Sequence, residues 1–435
     1  MKACFGLMLA LATMATTAKA ETAADTSLDN EVEQYLAQNS GNWGEPSTFR
    51  VFWKDAVKME SGDGNFKFHL RGRAYFDSDW RDNDSSFAQD PLGPKIGDNF
   101  VGFSTVRLGA EGTIYKNTVY KLEFDFADDD VEFKDVYLGL NDVGGGTLLF
   151  GYQKQDFSIG EMTSSRYTTF ISGAASIEAL APSRGSGVQY FRNFGSAKKV
   201  HIGAGMFQRA GNTGASNGQG GWGFNFRIAG LAIENTDKEM ILEIGFAILY
   251  QNVRNGISTF AARPGTSLGP KAIGATVNNI DNDLRWGFEV AFRMKAFHFQ
   301  AEFYQVSPQL STGTEPDLNG WYIQIGWFIT GETRAFSKKI MAWTRTPPKA
   351  NFWTAEGGRG GWEIAIRYDS TDLNDGSARG GEMTTFTFGV NWYWNPNARM
   401  MFNYVFADID STSGNGQVQG DGSLNSVILR WQFDF

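Results

Sequence analysis

The sequence is poor in the residues that bind metals, form disulfides or act as strong nucleophiles. A single cysteine, Cys4, occurs in 435 residues, and histidine occurs only at His69, His201 and His298. The histidines fall on three different predicted strands, without the spacing that a metal site requires. No HExxH or P-loop pattern is present, and the acidic run 128–130 fits a solvated turn better than a calcium site. The sequence therefore predicts no cofactor and no metal, and it gives little support to an enzyme.

Long apolar runs are missing after the N-terminus. The first residues, MKACFGLMLALATMATTAKA, combine Lys2, an apolar stretch and small residues at Ala18 and Ala20, which is the pattern of an export signal. We expect cleavage after Ala20, which removes Cys4 and changes the net charge from −9 to −11, because two lysines and no acid are lost. No later run reaches about 18 apolar residues, so no transmembrane helix is predicted. A membrane β-barrel is compatible with this absence, because its strands alternate between apolar and polar residues.

What the chain has instead is alternation. In its last ten residues, SVILRWQFDF, the odd positions Val427, Leu429, Trp431, Phe433 and Phe435 are apolar and the even positions are mostly polar. A period of two residues is the signature of a β-strand with two different faces. An aromatic content of 14% and 52 glycines also fit an all-β chain.

Sixteen segments of this kind can be counted, and their connectors alternate between short and long. The segments are 66–77, 101–111, 118–126, 133–140, 147–152, 187–194, 199–208, 222–231, 240–251, 284–294, 297–306, 319–331, 360–369, 383–394, 399–408 and 424–435. The long connectors include 153–186 and 252–283, and one, 332–359, is long on the otherwise short side. An even strand number with short turns at one end predicts a sixteen-stranded antiparallel transmembrane β-barrel with both termini in the periplasm.

We divide the chain into an export signal (1–20), a periplasmic N-terminal segment (21–60) and the barrel (61–435). The alternative is a large soluble β-sandwich or β-helix, in which the apolar face would be a core. The export signal, the even count, the unequal connectors and the terminal Phe435 favour the barrel. Closure removes the edges of the sheet, and sixteen strands leave an aqueous channel.

Basic residues recur on the polar face, which a barrel turns toward its lumen. A row of cations in a narrow lumen focuses positive potential, and Arg binds phosphate through a planar fork. The first strand carries Lys67, Arg71 and Arg73 on this face. The same alternation places a further set inward: Arg227, Arg285, Arg293, Arg367, Arg399 and Arg430. The alternative for each of them is that it neutralises an inward acid, of which these are candidates: Glu123, Asp125, Glu243, Glu289, Glu302, Glu363, Asp369 and Asp434.

Several segments resemble the phosphate-selective porin O and P family, in order from about residue 49 to Phe435. They include FKFHLRGR, GAEGTIYKNTVYKLEFDFA, FGYQKQDFSIGEMTSSRYTTF, GWYIQIGWFITGETRAF, GGWEIAIRYDSTDL and FGVNWYWNPNARMMFNYVF. The resemblance implies a homotrimer of sixteen-stranded barrels with a third external loop folded into the pore, here 153–186. It also implies a long turn after TGE, which accounts for the connector 332–359.

The family's selectivity residues are only partly retained. The resemblance implies a basic residue directly after TSS in the constriction loop, and Arg166 occupies that position after Ser164 and Ser165. Members that select phosphate carry Phe-Arg-Arg at the start of the second strand, where this chain has Phe-Ser-Thr at 103–105. The Gly-Arg pair that contains Arg73 is kept. The resemblance therefore implies anion preference, with fewer arginines along the pore than in the members that select phosphate.

Within the constriction loop, Arg166 is the residue that we expect to bind anions. Hydroxyl groups of Ser164 and Ser165 can add hydrogen bonds to a phosphate, and a cation at a narrow waist is poorly screened by water. The alternative is that Arg166 pairs with Glu161 or Glu178 and only holds the shape of the loop.

The sequence thus predicts a porin of the bacterial outer membrane that passes small hydrophilic solutes and prefers anions such as phosphate or polyphosphate. Its expected partners are two further copies of the chain, outer-membrane lipid and small anions, and no nucleic acid. A weakly selective general-diffusion porin is the first alternative. An outer-membrane enzyme or adhesin is the second.

Overall fold

A computed structural model describes most of the chain. The described residues are 48–83, 88–89, 95–127, 130–195, 197–215, 221–354, 357–376, 378–410 and 418–435. The expected export signal, most of the N-terminal segment 21–60 and two residues of the acidic run 128–130 lie outside them. Within the described residues, no helix is long and apolar enough to cross a membrane.

Sixteen antiparallel strands form one closed barrel in this part of the chain, which confirms the predicted fold. In chain order they are β1 (Lys67–Asn83), β2 (Phe100–Ile114), β3 (Thr118–Asp125), β4 (Glu132–Val143), β5 (Gly146–Lys154), β6 (Arg184–Phe194), β7 (Val200–Gln208), β8 (Trp222–Asn235), β9 (Met240–Asn252), β10 (Ile280–Met294), β11 (Phe297–Leu310), β12 (Leu318–Phe328), β13 (Gly361–Asp375), β14 (Ala378–Asn395), β15 (Ala398–Asp410) and β16 (Asp421–Asp434). Each strand pairs with its neighbours in the chain, and β16 closes the barrel against β1.

The two faces of the strands follow the predicted alternation. On β16, Trp431 and Phe433 are exposed on the outside, whereas Arg430 and Gln432 are buried on the inside. The pattern sets this register, because a shift by one residue would turn the aromatic side chains into the lumen. Several strands extend past their predicted ends at the long-loop side of the barrel. β1, predicted to end at residue 77, continues to Asn83, with the polar Asp82 exposed there. Above the bilayer both faces of a strand meet water, so the apolar alternation fades before the strand ends.

Gly72 of β1 and Phe435, the residue after β16, complete the seam between these two strands. The backbone groups of Phe435 and Gly72 exchange two hydrogen bonds of 2.9 Å. The ring of Phe435 lies where a β-carbon on Gly72 would be, so any larger residue at position 72 would have to displace this ring. A hairpin of two strands, Phe49–Trp53 and Val57–Ser61, pairs with the first residues of β1, where β16 has already ended. The N-terminal segment therefore contributes two strands to the sheet.

Three connecting segments fold into the barrel. The constriction loop (155–183) carries two short helices, α1 (Ile159–Met162) and α2 (Ala175–Leu180). The loop 253–279 carries a hairpin of Ile257–Ala262 and Ile273–Asn278. The long turn (329–360) carries the strand pair Phe336–Ser337 and Ala342–Trp343. A further short strand pair, Ala88–Gln89 with Val418–Gln419, links the loop between β1 and β2 to the loop between β15 and β16.

The sequence had left open whether the connector 252–283 enters the lumen, and it does. The hydroxyl of Ser267 donates a 2.6 Å hydrogen bond to Asp77 on the inner wall of β1, although the loop starts from β9. Its hairpin packs with α2 against the inner faces of β9–β16 in one apolar cluster. The long turn and α1 form a second cluster around Trp343. The part of the barrel made by β8–β16, here called the filled half, is therefore occupied by protein.

Candidate functional site

The half of the barrel made by β1–β7, here called the open half, encloses a cavity of about 590 Å³. This main cavity is bounded by the inner walls of those strands, the constriction loop and the tip of the long turn. Its cationic lining consists of Arg71, Arg73, Arg107, Lys121, Lys154, Arg184 and Lys339. Its anionic lining consists of Glu111, Glu123, Asp135, Asp156 and Glu161. Cations thus outnumber carboxylates on this wall.

Two of these carboxylates are each shared between two cations from different strands. Glu123 accepts from Arg73 at 2.8 Å and lies 3.3 Å from Arg107. Asp135 lies 2.6 Å from Lys121 and 2.9 Å from Arg184. Arg107 also pairs with Asp125 at 2.7 Å, so the positive charge of the wall comes from the excess of cations over carboxylates in the whole lining.

Arg73, Ser164 and Ser165, which the sequence singled out, meet at the edge of the main cavity. The Nη1 atom of Arg73 donates to the hydroxyl of Ser165 at 2.9 Å, and that hydroxyl lies 3.2 Å from the phenol oxygen of Tyr75. Ser164 is more distant, at 3.5 Å from the same nitrogen. These contacts fasten the constriction loop to β1, so Arg73 has a structural partner on each side.

The other two predicted cations of β1 differ from each other. Arg71 forms an ion pair with Glu111 on β2, and both side chains line the main cavity. Lys67 is the first residue of β1 and is exposed at the short-turn end of the barrel. It has the inward parity that the alternation predicts, but it does not line the main cavity.

Three of the predicted inward arginines connect the wall to the constriction loop. Arg285 pairs with Asp283 at 2.7 Å and donates to the carbonyl of Leu180 at 3.0 Å. Arg430 pairs with Asp77 at 2.6 Å and donates to the carbonyl of Ile171 at 2.8 Å. A guanidinium fork can serve two acceptors at once, and here one acceptor is on the barrel and the other on the loop. The guanidinium nitrogens of Arg285 and Arg430 all have acceptors, and the role of these residues in conduction stays a prediction. The third such arginine is Arg367, with Asp369 at 3.7 Å and the carbonyl of Ser172 at 2.8 Å.

Arg227, on β8, is bound most extensively. It is fully buried and lies 2.6 Å from Glu289 and 3.0 Å from Asp156. It also donates to the carbonyls of Ile340 and Met341 in the long turn, both at 2.9 Å. This one side chain therefore joins the barrel wall, the constriction loop and the long turn.

Arg293 and Arg399 have neutral partners. Arg293 donates to the backbone carbonyl of Arg334 at 2.8 Å, at the short-turn end of β10. Arg399 donates to the amide oxygen of Gln432 at 2.9 Å and to the carbonyl of Thr168 at 2.8 Å. Neither is within ion-pair distance of a carboxylate in the described part of the chain.

Arg166 lies on the far side of the constriction loop from Ser164 and Ser165. It is 6% exposed and lines a second, smaller cavity, whereas the two serines line the main cavity. Neither of its alternative partners binds it: Glu161 is 3.8 Å from Lys154, and Glu178 is 2.6 Å from Arg263. Burial, followed by the fields of Arg73 and Arg71, lowers the pKa of Arg166.

Sequence reasoning missed several of the charged groups around both cavities. Arg107 and Lys121 have the inward parity of their strands, so the alternation could have identified them. Arg334, Arg345 and Lys339 lie in the long turn, where no alternation of apolar and polar residues indicates which side chains face the lumen. They come to the lumen only because the turn folds inward.

The buried histidines form pairs with carboxylates. His201 lies 2.6 Å from Asp156, and His298 lies 2.7 Å from Glu363. No group of three or more potential metal ligands is found in the residues that the structure describes.

Comparison with known proteins gives one family and a common fold. Residues 89–435 match the family model described as phosphate-selective porin O and P. Porin O of Pseudomonas aeruginosa is 26% identical over 425 residues, which cover 88% of this chain and 91% of that protein. Among solved structures, an anion-selective porin from Comamonas acidovorans aligns with a TM-score of 0.53 at 13% identity, covering 85% of this chain and 100% of that one. The trimer form of OmpT, an outer-membrane protein of Vibrio cholerae, aligns with a TM-score of 0.50 at 13% identity, covering 85% and 99%. At such identities the structures show the fold alone.

Proposed function

The chain belongs to the family of phosphate-selective porins O and P, and from that premise we propose that it conducts small anions in preference to cations. It is a porin of the bacterial outer membrane, as the sequence predicted. Its family and fold are those of a channel. Anion preference is the step that we add, and one observation carries it: cations outnumber carboxylates around the main cavity.

The electrostatic argument follows from the way these charges are arranged. Glu123 and Asp135 are each held by two cations, and Asp156 is held by Arg227 and His201. Glu123 and Asp135 are therefore compensated by cations, and the excess of cations in the lining gives the cavity a positive potential with reduced screening. Anions are enriched there and cations are depleted. Most of the donors already have partners, which favours weak binding and rapid exit.

We propose Arg71, Arg73 and Lys154, with Ser164 and Ser165, as the groups that a permeant anion contacts. Arg166 does not line the main cavity, but its charge adds to the positive potential there. Phosphate is the anion that the family's description suggests, and polyphosphate is a longer member of the same class. This chain has Phe-Ser-Thr at 103–105 in place of Phe-Arg-Arg, which supports only modest specificity for phosphate over chloride.

We also propose that the protein is a homotrimer embedded in outer-membrane lipid. The trimer form of OmpT supports a threefold assembly on this architecture. The band of exposed apolar side chains on the outside of the strands, which includes Phe103, Leu138, Phe288 and Trp431, supports contact with lipid.

A weakly selective general-diffusion porin is the second candidate. The observation that favours it is the ion pairing of many predicted cations, since Arg71, Arg227, Arg285 and Arg430 each bind an acid. A paired cation contributes little to selectivity. The two candidates differ in the sign and size of the reversal potential.

The test is a reversal-potential measurement in planar bilayers under a gradient of potassium chloride. The wild type should prefer chloride, and Lys339→Glu should weaken that preference, because Lys339 lines the main cavity, is exposed and contacts the ring of Phe191. The matched control is Lys238→Glu, at an exposed turn outside the lumen. A wild type that prefers cations, or equal shifts in the two variants, would refute the proposal.

A further inference from the structure

Four arginines from three different segments converge on the second, smaller cavity, near the short-turn end of the barrel. They are Arg166 of the constriction loop, Arg334 and Arg345 of the long turn, and Arg399 of β15, and we call them the arginine cluster. The cavity between them has a volume of about 20 Å³. It is separated from the main cavity by the constriction loop.

The arginine cluster has fewer carboxylates than guanidinium groups. The only acid that lines the cavity is Asp434, and Arg345 forms an ion pair with it. Arg334 donates to the Nδ1 atom of His298 at 3.1 Å and to the carbonyl of Tyr167 at 3.3 Å, both of which are neutral acceptors. Arg399 likewise has neutral acceptors, Gln432, Thr168 and the phenol oxygen of Tyr393.

Three of the four cations are also almost completely buried. Arg166, Arg334 and Arg399 are 6%, 4% and 3% exposed. The Nε atom of Arg166 is buried without a hydrogen-bond partner. No carboxylate of the described residues lies within ion-pair distance of these three groups. Glu363 lies behind His298, which separates it from Arg334, so the three guanidinium groups have no carboxylate in direct contact. Buried charges without a direct counter-ion are costly, which favours an additional anion at this point.

We propose that a small inorganic anion of the size of chloride binds in this cavity as a structural ligand. A volume of 20 Å³ exceeds the roughly 10–15 Å³ that one water molecule needs, and it suits a monatomic anion better than a tetrahedral oxyanion. The bound anion would link the constriction loop to the long turn and to β15 through their arginines. The inference does not rest on the proposed anion preference, because this cavity lies behind the loop and away from the main cavity.

The test uses bromide as the probe, because it resembles chloride and scatters anomalously. Crystals of the full-length mature protein in bromide should show an anomalous peak between the four guanidinium groups. In Arg166→Gln/Arg334→Gln the peak should disappear, whereas Lys339→Gln, which alters the main cavity only, should retain it. Absence of the peak in the wild type would overturn the proposal. A peak that survives in the double variant would mean an adventitious ion only, and would overturn it equally.

A solution measurement keeps the test decisive if the double variant fails to fold. The thermal unfolding midpoint of the wild type should be higher in chloride than in gluconate at equal ionic strength, because an anion that binds only the folded state stabilises it. The difference should shrink in Arg166→Gln and persist in Lys339→Gln. Equal midpoints in the two salts would contradict the site. The reversal potential of the wild type reports anion preference separately, so the failure of one proposal does not imply the failure of the other.

Discussion

The filled half and the open half of this barrel are built from strands of the same period, yet they differ in what the inward positions carry. In the filled half, inward residues such as Ala247, Leu249, Ala407 and Ile409 are apolar and are 0–2% exposed, because the loop 253–279 and α2 cover them. In the open half, many of the inward residues are charged and face the main cavity, with apolar ones such as Leu149 and Phe191 among them. An apolar inner wall therefore recruits a loop, because burial of apolar surface stabilises the covered state by about 25 cal/mol per Å².

Arginine also has different surroundings in the two halves. In the filled half, Arg227, Arg285 and Arg430 each connect a wall carboxylate to a carbonyl of an inserted segment. In the open half, Arg107 and Arg184 share their carboxylates with another cation and face the cavity. The same residue type thus fixes loops on one side and shapes the electric potential on the other.

The largest effect that this comparison predicts is on stability, for Arg227→Met in the filled half. Loss of the guanidinium leaves Asp156 and Glu289 buried without their counter-ion, and broken buried pairs cost about 3–5 kcal/mol. Urea titration of the folded barrel in lipid vesicles should measure a loss of this size in the free energy of unfolding. Arg254→Met, at an exposed loop position, is the control. Equal losses in the two variants would mean that Arg227 does not join the segments of the filled half.

Water access should differ strongly between cysteines placed in the two halves. Lys121→Cys faces the main cavity, and a small aqueous thiol reagent should modify it and reduce the current. Ala407→Cys points inward but is covered, so its reaction should be about 100-fold slower or more, because access requires a local opening of a few kcal/mol. Reaction rates measured in proteoliposomes decide this, with the unmodified chain as the background. Similar rates at both positions would show that the filled half is open to solvent.

The smallest predicted effect concerns selectivity, for carboxylates in the two halves. Glu123→Gln removes a negative charge from the main cavity while Arg73 and Arg107 remain, so the chloride-to-potassium permeability ratio should rise by about twofold. Glu363→Gln removes a carboxylate held by His298 in the filled half and should leave the ratio unchanged. Reversal potentials measure both. A larger change for Glu363→Gln would place the permeation path on the other side of the constriction loop.

The strand pattern was readable from the sequence because it is local. The alternation of apolar and polar residues predicted the number of strands and the inward direction of Arg73, Arg227 and Arg430, and it predicted the outward direction of Trp431. The family resemblance added the inserted constriction loop. The partners of Arg166 were not readable, since Glu161 and Glu178 are near it in the chain but bind Lys154 and Arg263 instead.

By itself, the sequence determined which side chains face lipid and which face the lumen, because a period of two residues acts within each strand and needs no information from elsewhere. Only the tertiary structure decided which of the inward cations remain available to water. That outcome depends on the register between strands, which places Glu123 beside both Arg73 and Arg107. It depends also on two loops and a turn that enter the lumen from distant parts of the chain and occupy the donors of one half. Such contacts join residues far apart in the sequence, so no local pattern encodes them.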